Sequence, residues 1–301
     1  MNIRQTRTSE VDSQRFIENL HGEAAFQGFA IEEILFQGSS QYQSINIVQT
    51  SHFGRVLILD GIVQTTQMDE FMYHEMLVHV PMFANITPYD VLIIGGGDGG
   101  ALREVLKHDI NRVDMIEIDR LVVEKCIEYL PTLNNSGIVF EDPRANLIIE
   151  DAFTYLNRER QRYDVIVCDS TDPIGAGEIL FSREFYALCE RSLKPHGTMS
   201  FQDGVVFFQP SEARDTLCRL HDLGLLAKAY QIAVPSYYGG SMLLTYAARR
   251  DSEFTPSLDG LRHRLDALGD ELRHYNPAHH LASFCLPNWI ENVTGGCSAK
   301  S

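Results

Sequence analysis

The stretch Val91 to Gly100, reading VLIIGGGDGG, constrains this chain more than any other. Its four apolar residues have the character of a strand buried on both faces of a parallel sheet. Five glycines then surround a single carboxylate, Asp98, before ALREVLKH resumes a helical pattern. A strand, a glycine turn and a helix start make a ligand cradle whose backbone N–H groups and dipole favour an anion. Asp98 opposes that anion, so the loop demands a different occupant.

The segments around the loop set the architecture. Downstream, Val113 to Ile118, Leu147 to Ile149 and Val165 to Cys168 read as buried strands, and Arg120 to Leu130 and Arg183 to Leu193 as helices. A strand at Thr198 to Phe201, a helix from near Pro210, apolar runs at Ala229 to Val234 and Met242 to Ala247, and an amphipathic helix near Leu258 to Leu272 complete the order. Strands alternating with helices predict an α/β, Rossmann-like, doubly wound sheet. Upstream, FAIEEILF, QSINIVQ, RVLIL and IVQTT are short β-like runs punctuated by Gly54 and Asp60-Gly61, which predicts a small antiparallel β unit. Between them, DEFMYHEMLVHVP has helical spacing, with Pro81 expected just past the helix end. We therefore divide the chain into an N-terminal β-strand domain, 1–66, and a Rossmann-like catalytic domain, 67–301.

Charge narrows the partners. Lys and Arg total 25 against 41 Asp and Glu, a formal net charge of -16, which disfavours nucleic acid and anionic membranes and suits a cationic ligand. The first residues lack an apolar signal core and no apolar run is long enough to span a bilayer, so a cytoplasmic location is expected. Six cysteines without a C-x-x-C pair predict reduced thiols rather than a disulfide frame or zinc site. His74 and His79 are five residues apart, one too many for the paired ligands of H-E-x-x-H, so no metal is expected there.

Gly95, Gly97 and Gly100 formally satisfy G-x-G-x-x-G, and Glu117 lies about 20 residues on, as in dinucleotide sites. Asp98 would repel a pyrophosphate. A nucleoside without phosphates, carrying positive charge at its far end, removes the conflict, and S-adenosyl compounds have that shape. Glu117 is then placed to accept hydrogen bonds from ribose hydroxyls, or else to pair with a local arginine. The run DSTDPIG, Asp169 to Gly175, follows another strand and would aim two more carboxylates at the same crevice, unless it is only a turn and helix cap. Three converging acids call for a cation. Tyr73 and His74, on the preceding helix, either close the cleft or belong to the core.

Taken together, DGIVQTTQMDEFMYHEMLVHVPM, VLIIGGGDGGALREVLKH, MIEID, EDPR, DSTDPIG with LFSREFY, PSYYGG and YNPAHHLASFCLPNW resemble the spermidine synthases, or polyamine aminopropyltransferases, from about Phe29 to Trp289. The resemblance implies a methyltransferase-type Rossmann-like sheet and transfer of the aminopropyl group of decarboxylated S-adenosylmethionine to putrescine, giving spermidine and 5'-methylthioadenosine. It implies that Gln43 touches the nucleoside, that Tyr73, His74, Gln64 and Tyr237 line the amine tunnel, and that Asp98 grips the aminopropyl ammonium. Glu117 falls at the ribose position, Asp151 with the adjoining Ala152 at the adenine, Asp169 at the proton acceptor and Asp172 at the second diamine-binding acid. Ala152 and Ala176 depart from the family pattern, which has glycine and proline there. The resemblance further implies no metal or redox cofactor, the decarboxylated donor being a co-substrate, and a homodimer or homotetramer. Another acceptor (cadaverine, agmatine or spermidine), a small-molecule N-methyltransferase, a catalytically silent polyamine-binding protein and a dinucleotide-dependent oxidoreductase are the competing readings.

Overall fold

A computed structural model describes residues 10–11, 15–22, 25–85, 88–171, 175–249, 257–269 and 272–296. The chain opens with two antiparallel sheets. The first holds β1 (Glu10–Val11), β2 (Arg15–Glu18) and β3 (Gln27–Ala30), and the second β4 (Glu33–Ser39), β5 (Ser44–Thr50), β6 (Gly54–Leu59) and β7 (Ile62–Thr66). The run FAIEEILF, read as one strand, is thus divided between two sheets. It breaks at Ile31, which is buried, and Glu32, whose N–H bonds to Gln49 O at 2.9 Å.

Helix α1 (Glu70–Ala84) leads into β8 (Asp90–Gly95), α2 (Gly100–Leu106), β9 (Arg112–Glu117), α3 (Arg120–Tyr129), the single turn α4 (Ile138–Glu141), β10 (Ala145–Ile149), α5 (Ala152–Arg158) and β11 (Tyr163–Asp169). Next come α6 (Arg183–Ser192), β12 (Leu193–Val205), α7 (Pro210–Asp222), β13 (Leu226–Ala233) and β14 (Ser241–Ala248), and three helices follow, α8 (Leu258–Leu268), α9 (Pro277–Ser283) and α10 (Asn288–Thr294). The seven central strands run in the order β10-β9-β8-β11-β12-β14-β13, parallel except that β14 is antiparallel to both neighbours. This is the doubly wound, Rossmann-like sheet the alternating pattern predicts. Its strand order reverses between β8 and β11, where Asp169 lies in register with Gly95. Ligands of such sheets bind beyond the strand ends at that reversal.

Helix α1 runs through the proline expected to end it. Pro81 has no N–H for the Leu77 carbonyl, but Ser200 Oγ donates to Leu77 O at 2.7 Å, and Tyr230 Oη donates to Met76 O at 3.1 Å. Ser200 of the sheet thus supplies the one bond the proline removes, Tyr230 adds a second tie, and the helix continues to Ala84. With 13 of its 15 residues buried, α1 is a core element, not an amphipathic surface helix. Glu75 on its far side accepts the N–H groups of Arg273, His274 and Tyr275 at 2.8, 2.8 and 2.7 Å, tying the C-terminal segment to it.

The four-stranded sheet packs Ile45, Ile47, Leu57 and Leu59 against Val122, Cys126 and Leu130 of the α3 region, which brings the small β unit over the strand ends. Cys126, Cys168 and Cys189 are buried free thiols and Cys285 is an exposed one. Cys218 is disulfide-bonded, contrary to the all-thiol expectation, because a spacing argument registers only near-neighbour pairs. No helix among the described residues is long and apolar enough to cross a membrane.

Candidate active site

At the strand reversal a cleft opens between the central sheet and the small β unit. Gln43, Gln64, Tyr73, His74, Asp98, Glu117, Asp151, Ala152, Asp169 and Tyr237 all line it. Asp172 and the side chain of Ala176 lie outside the described residues.

The glycine turn is shaped by its neighbours as much as by any ligand. Gly95 has φ +81°, and a Cβ there would collide with the Asp169 carbonyl oxygen. A Cβ on Gly100 would press on the His74 imidazole, with Nδ1 only 2.5 Å away. The last glycine of the fingerprint therefore makes room for a side chain of this protein. Asp98 turns back onto the helix start, accepting the Gly100 N–H at 2.6 Å.

Tyr73 Oη donates to Asp169 Oδ1 at 2.8 Å, while Asp169 Oδ2 is buried without a hydrogen bond among the described residues. Burial pushes the Asp169 carboxyl up to about 6, with Asp98 adding to the rise and His74 opposing it. The same burial, reinforced by Asp169, keeps the Tyr73 phenol far above its ordinary value. His74 shares its two ring nitrogens between carboxylates: Nδ1 is 2.6 Å from Glu70 Oε2, and Nε2 is 3.5 Å from Asp98 Oδ1 and 3.8 Å from Asp169 Oδ2. Burial works against its charge, but Asp98 and Glu70 outweigh that and raise His74 well above the usual imidazole range. Asp98 is held low in turn, because His74 and the Gly100 N–H overcome its desolvation. Atoms of His74, Asp98 and Asp169 lie within 4.8 Å of one another, a spacing that suits either a metal ion or an ammonium group.

On the opposite side of the turn, Glu117 ends β9 and accepts the Asp119 N–H at 2.8 Å. Burial pushes its carboxyl up to about 7 against the help of the Asp119 and Ile118 N–H groups. Gln43 reaches across from the β unit to Asp119 Oδ2 at 3.0 Å, and Asp119 also caps α3 by accepting the Leu121 N–H. Asp151 caps α5 through the Thr154 N–H at 2.7 Å. Gln64 enters the wall through its carbonyl, which accepts Tyr237 Oη at 2.6 Å, and the Tyr237 ring sits 6.1 Å from that of Tyr73. The loop bearing Tyr237 is anchored where Asp69 accepts the Ser236 N–H at 2.7 Å.

Sequence reasoning passed over several cleft residues. Glu18 accepts the Val63 N–H at 2.9 Å at one wall. His21, Phe208 and Tyr238 stack at its margin, with His21 4.3 Å from Phe208 and Phe208 5.1 Å from Tyr238. These three come from different parts of the chain and carry no shared motif, so only Tyr238, inside PSYYGG, had a local signal. His79, doubtful as a metal ligand, instead bonds Glu104 and His108, each at 2.9 Å.

Comparison with known proteins agrees with this geometry. The profile of the spermine/spermidine synthase domain matches residues 70–255, and that of the spermidine synthase tetramerisation domain matches residues 16–67. The polyamine aminopropyltransferase of Escherichia fergusonii is 42% identical over 283 residues, 94% of this chain and 97% of that enzyme. Polyamine aminopropyltransferase 1 of Pseudomonas aeruginosa is 44% identical over 270 residues, 89% of this chain and 94% of that one. Among solved structures, spermidine synthase in complex with the transition state analogue AdoDATO superposes with a TM-score of 0.88 at 35% identity, covering 97% of this chain and 98% of that one. The Thermotoga maritima spermidine synthase gives 0.85 at 33% identity with the same coverage. With profile, relatives and superposed structures agreeing along nearly its whole length, the chain belongs to the spermine/spermidine synthase family of polyamine aminopropyltransferases.

Proposed function

We propose that this aminopropyltransferase takes decarboxylated S-adenosylmethionine as donor and putrescine as acceptor, releasing spermidine and 5'-methylthioadenosine. The observation that carries this reading is the Tyr73–Asp169 hydrogen bond of 2.8 Å beside Asp98, with Glu117 on the other side of the same glycine turn. Glu117 and Gln43 hold the nucleoside ribose end, Asp151 and Ala152 border the adenine, and Asp98 receives the aminopropyl ammonium. An acceptor enters along Tyr73, Tyr237 and Gln64, with Asp172 as a second acid for its far end.

The reaction is an in-line displacement in which an amine lone pair attacks the carbon next to sulfonium and a neutral thioether leaves. Because the leaving group is already activated, no metal or redox cofactor is required. The obstacle is the nucleophile, since an alkylammonium has a pKa near ~10.4 and is almost wholly protonated at neutral pH. Asp169 Oδ2, buried and uncommitted, takes that proton, and Tyr73 fixes the other oxygen so that the carboxylate faces the amine. Holding amine and sulfonium in line supplies the larger part of the rate, up to roughly 7–11 kcal/mol in well-oriented systems.

The preference for an ammonium over a metal at Asp98 and Asp169 rests on His74. Asp98 and Glu70 raise it well above the usual imidazole range, so the ring carries a proton on both nitrogens and offers no lone pair to a metal. We also infer a homotetramer, since residues 16–67 match a tetramerisation domain. The deciding experiment incubates the enzyme with the decarboxylated donor and putrescine, cadaverine, agmatine or spermidine in competition and reads products by mass spectrometry. Spermidine as main product is the expected result. Preference for another amine would reassign the acceptor, and no methylthioadenosine with any amine would overturn the reading.

A further inference from the structure

Behind the reacting groups stands a second buried charge pair that the proposed chemistry does not use. Glu70 is 6% exposed and Arg103 13% exposed, and they meet at 2.8 Å through Arg103 Nη2 and Glu70 Oε2. That carboxylate oxygen is the one that faces His74 Nδ1 at 2.6 Å. Arg103 has no freedom to leave: its Nε bonds Glu104 Oε1 at 2.8 Å and its Nη1 bonds Leu133 O at 2.9 Å. Glu104 is held in place by Lys107 at 2.7 Å and His79 at 2.9 Å. The ring it serves cannot swing toward α2 either, because His74 lies directly on Gly100.

We infer that Glu70 and Arg103 are positioning residues for aminopropyl transfer, which hold His74 doubly protonated with Nε2 aimed between Asp98 and Asp169. Each imidazole nitrogen faces carboxylate oxygens, so each needs a proton to make an attractive contact. Glu70 alone would be a costly buried anion, and Arg103 compensates it while fixing the oxygen that orients the ring. Glu70, Asp98 and Asp169 against His74 and Arg103 leave one net negative charge, so the cluster still attracts a cation. The groups facing His74 are Glu70 and Tyr73 on its own helix, Arg103 on α2, Asp98 in the glycine turn and Asp169 on β11; Glu117 on β9 and Tyr237 act on that centre from further out. A cation at His74 lets Asp98 and Asp169 stay ionised in the empty cleft, and so keeps Asp169 available as a proton acceptor at neutral pH.

This inference rests on Asp169 as the base, and the test separates the two. In Glu70→Gln the imidazolium loses one of the two carboxylates that hold its charge, so the carboxyl of Asp169 moves up by about one unit. The acid limb of kcat/KM then shifts, lowering the activity at pH 6 by about fivefold relative to that at pH 8, whereas Glu70→Asp retains the wild-type profile. Titration of the acceptor amine is common to all variants and cancels. A parallel drop at all pH values would reduce Glu70 to a structural role and overturn the inference. Asp169→Asn is run alongside: if it keeps near-normal turnover, it is the assignment of the base that fails. Should Glu70→Gln not fold, nitrogen NMR of the wild-type enzyme answers directly, since a neutral His74 tautomer at pH 7.5 would refute the inference and two protonated ring nitrogens would support it.

Discussion

Replacing Asp98 by Asn tests the centre of the site with little disturbance to its frame. The amide keeps Oδ1, which accepts the Gly100 N–H at 2.6 Å, so the turn retains its bond while losing its charge. Two unit charges about 4 Å apart attract by roughly 4 kcal/mol at an effective dielectric of about 20. Asp98 is 12% exposed and already shares its charge with His74 at 3.5 Å, which discounts that attraction to about half. The expected loss for decarboxylated S-adenosylmethionine is therefore about 2 kcal/mol, or roughly 30-fold in Kd. Methylthioadenosine has the same nucleoside and no ammonium, so its affinity should change by less than about threefold. Isothermal titration of wild type and variant with both ligands measures the difference. Equal losses for the two would refute the argument, because they would mean that Asp98 supports the nucleoside pocket and does not read the charge of the donor's tail.

Three further outcomes follow from the same contacts. Asp169→Asn should lower single-turnover rates by about 10³-fold while diamine affinity changes by only a few-fold, the signature of a lost proton acceptor, and a near-normal rate would exclude that role. Glu117, pushed by burial up to about 7, must be ionised to accept both ribose hydroxyls; titrations of methylthioadenosine should weaken about tenfold from pH 8 to pH 6, a slope that Glu117→Gln removes. Because its folded value lies above the ordinary glutamate value of 4.5, its contribution to stability is complete below 4.5 and is lost as pH rises through about 7, so denaturation midpoints of the ligand-free Glu117→Gln variant should decline less over that window. Ser200→Ala should cost about 1–3 kcal/mol in urea unfolding by orphaning the Leu77 carbonyl above Pro81, with little effect on activity measured at low temperature.

Much of this protein is written in local pattern. The strand VLIIG, the glycine turn, the β-rich start and the alternation beyond it follow from side-chain period and turn chemistry, and the observed strands lie within a few residues of where those patterns place them. The chemistry of the cleft was legible in part for the same reason: Asp98, Glu117 and Asp169 each follow a strand of the parallel sheet, and strand ends of such a sheet converge. What sequence could not determine depends on contacts between distant segments. The helix survives Pro81 only because Ser200, more than a hundred residues later, donates to the freed carbonyl. FAIEEILF divides because its halves find partners in different sheets. Gly100, read as an element of a nucleotide fingerprint, is required by the His74 ring lying against it. The charge on that ring is set by Asp98 and Glu70, with Arg103 compensating Glu70; periodicity gives these residues no charge partner, since a carboxylate one helical turn away and a guanidinium on the next helix acquire meaning only when packing removes water from between them. Sequence thus marked Asp98, Glu117, Asp151 and Asp169 for the cleft, while tertiary structure added Glu18 and set His74 among carboxylates, because periodicity is a property of neighbours along the chain and electrostatics a property of neighbours in space.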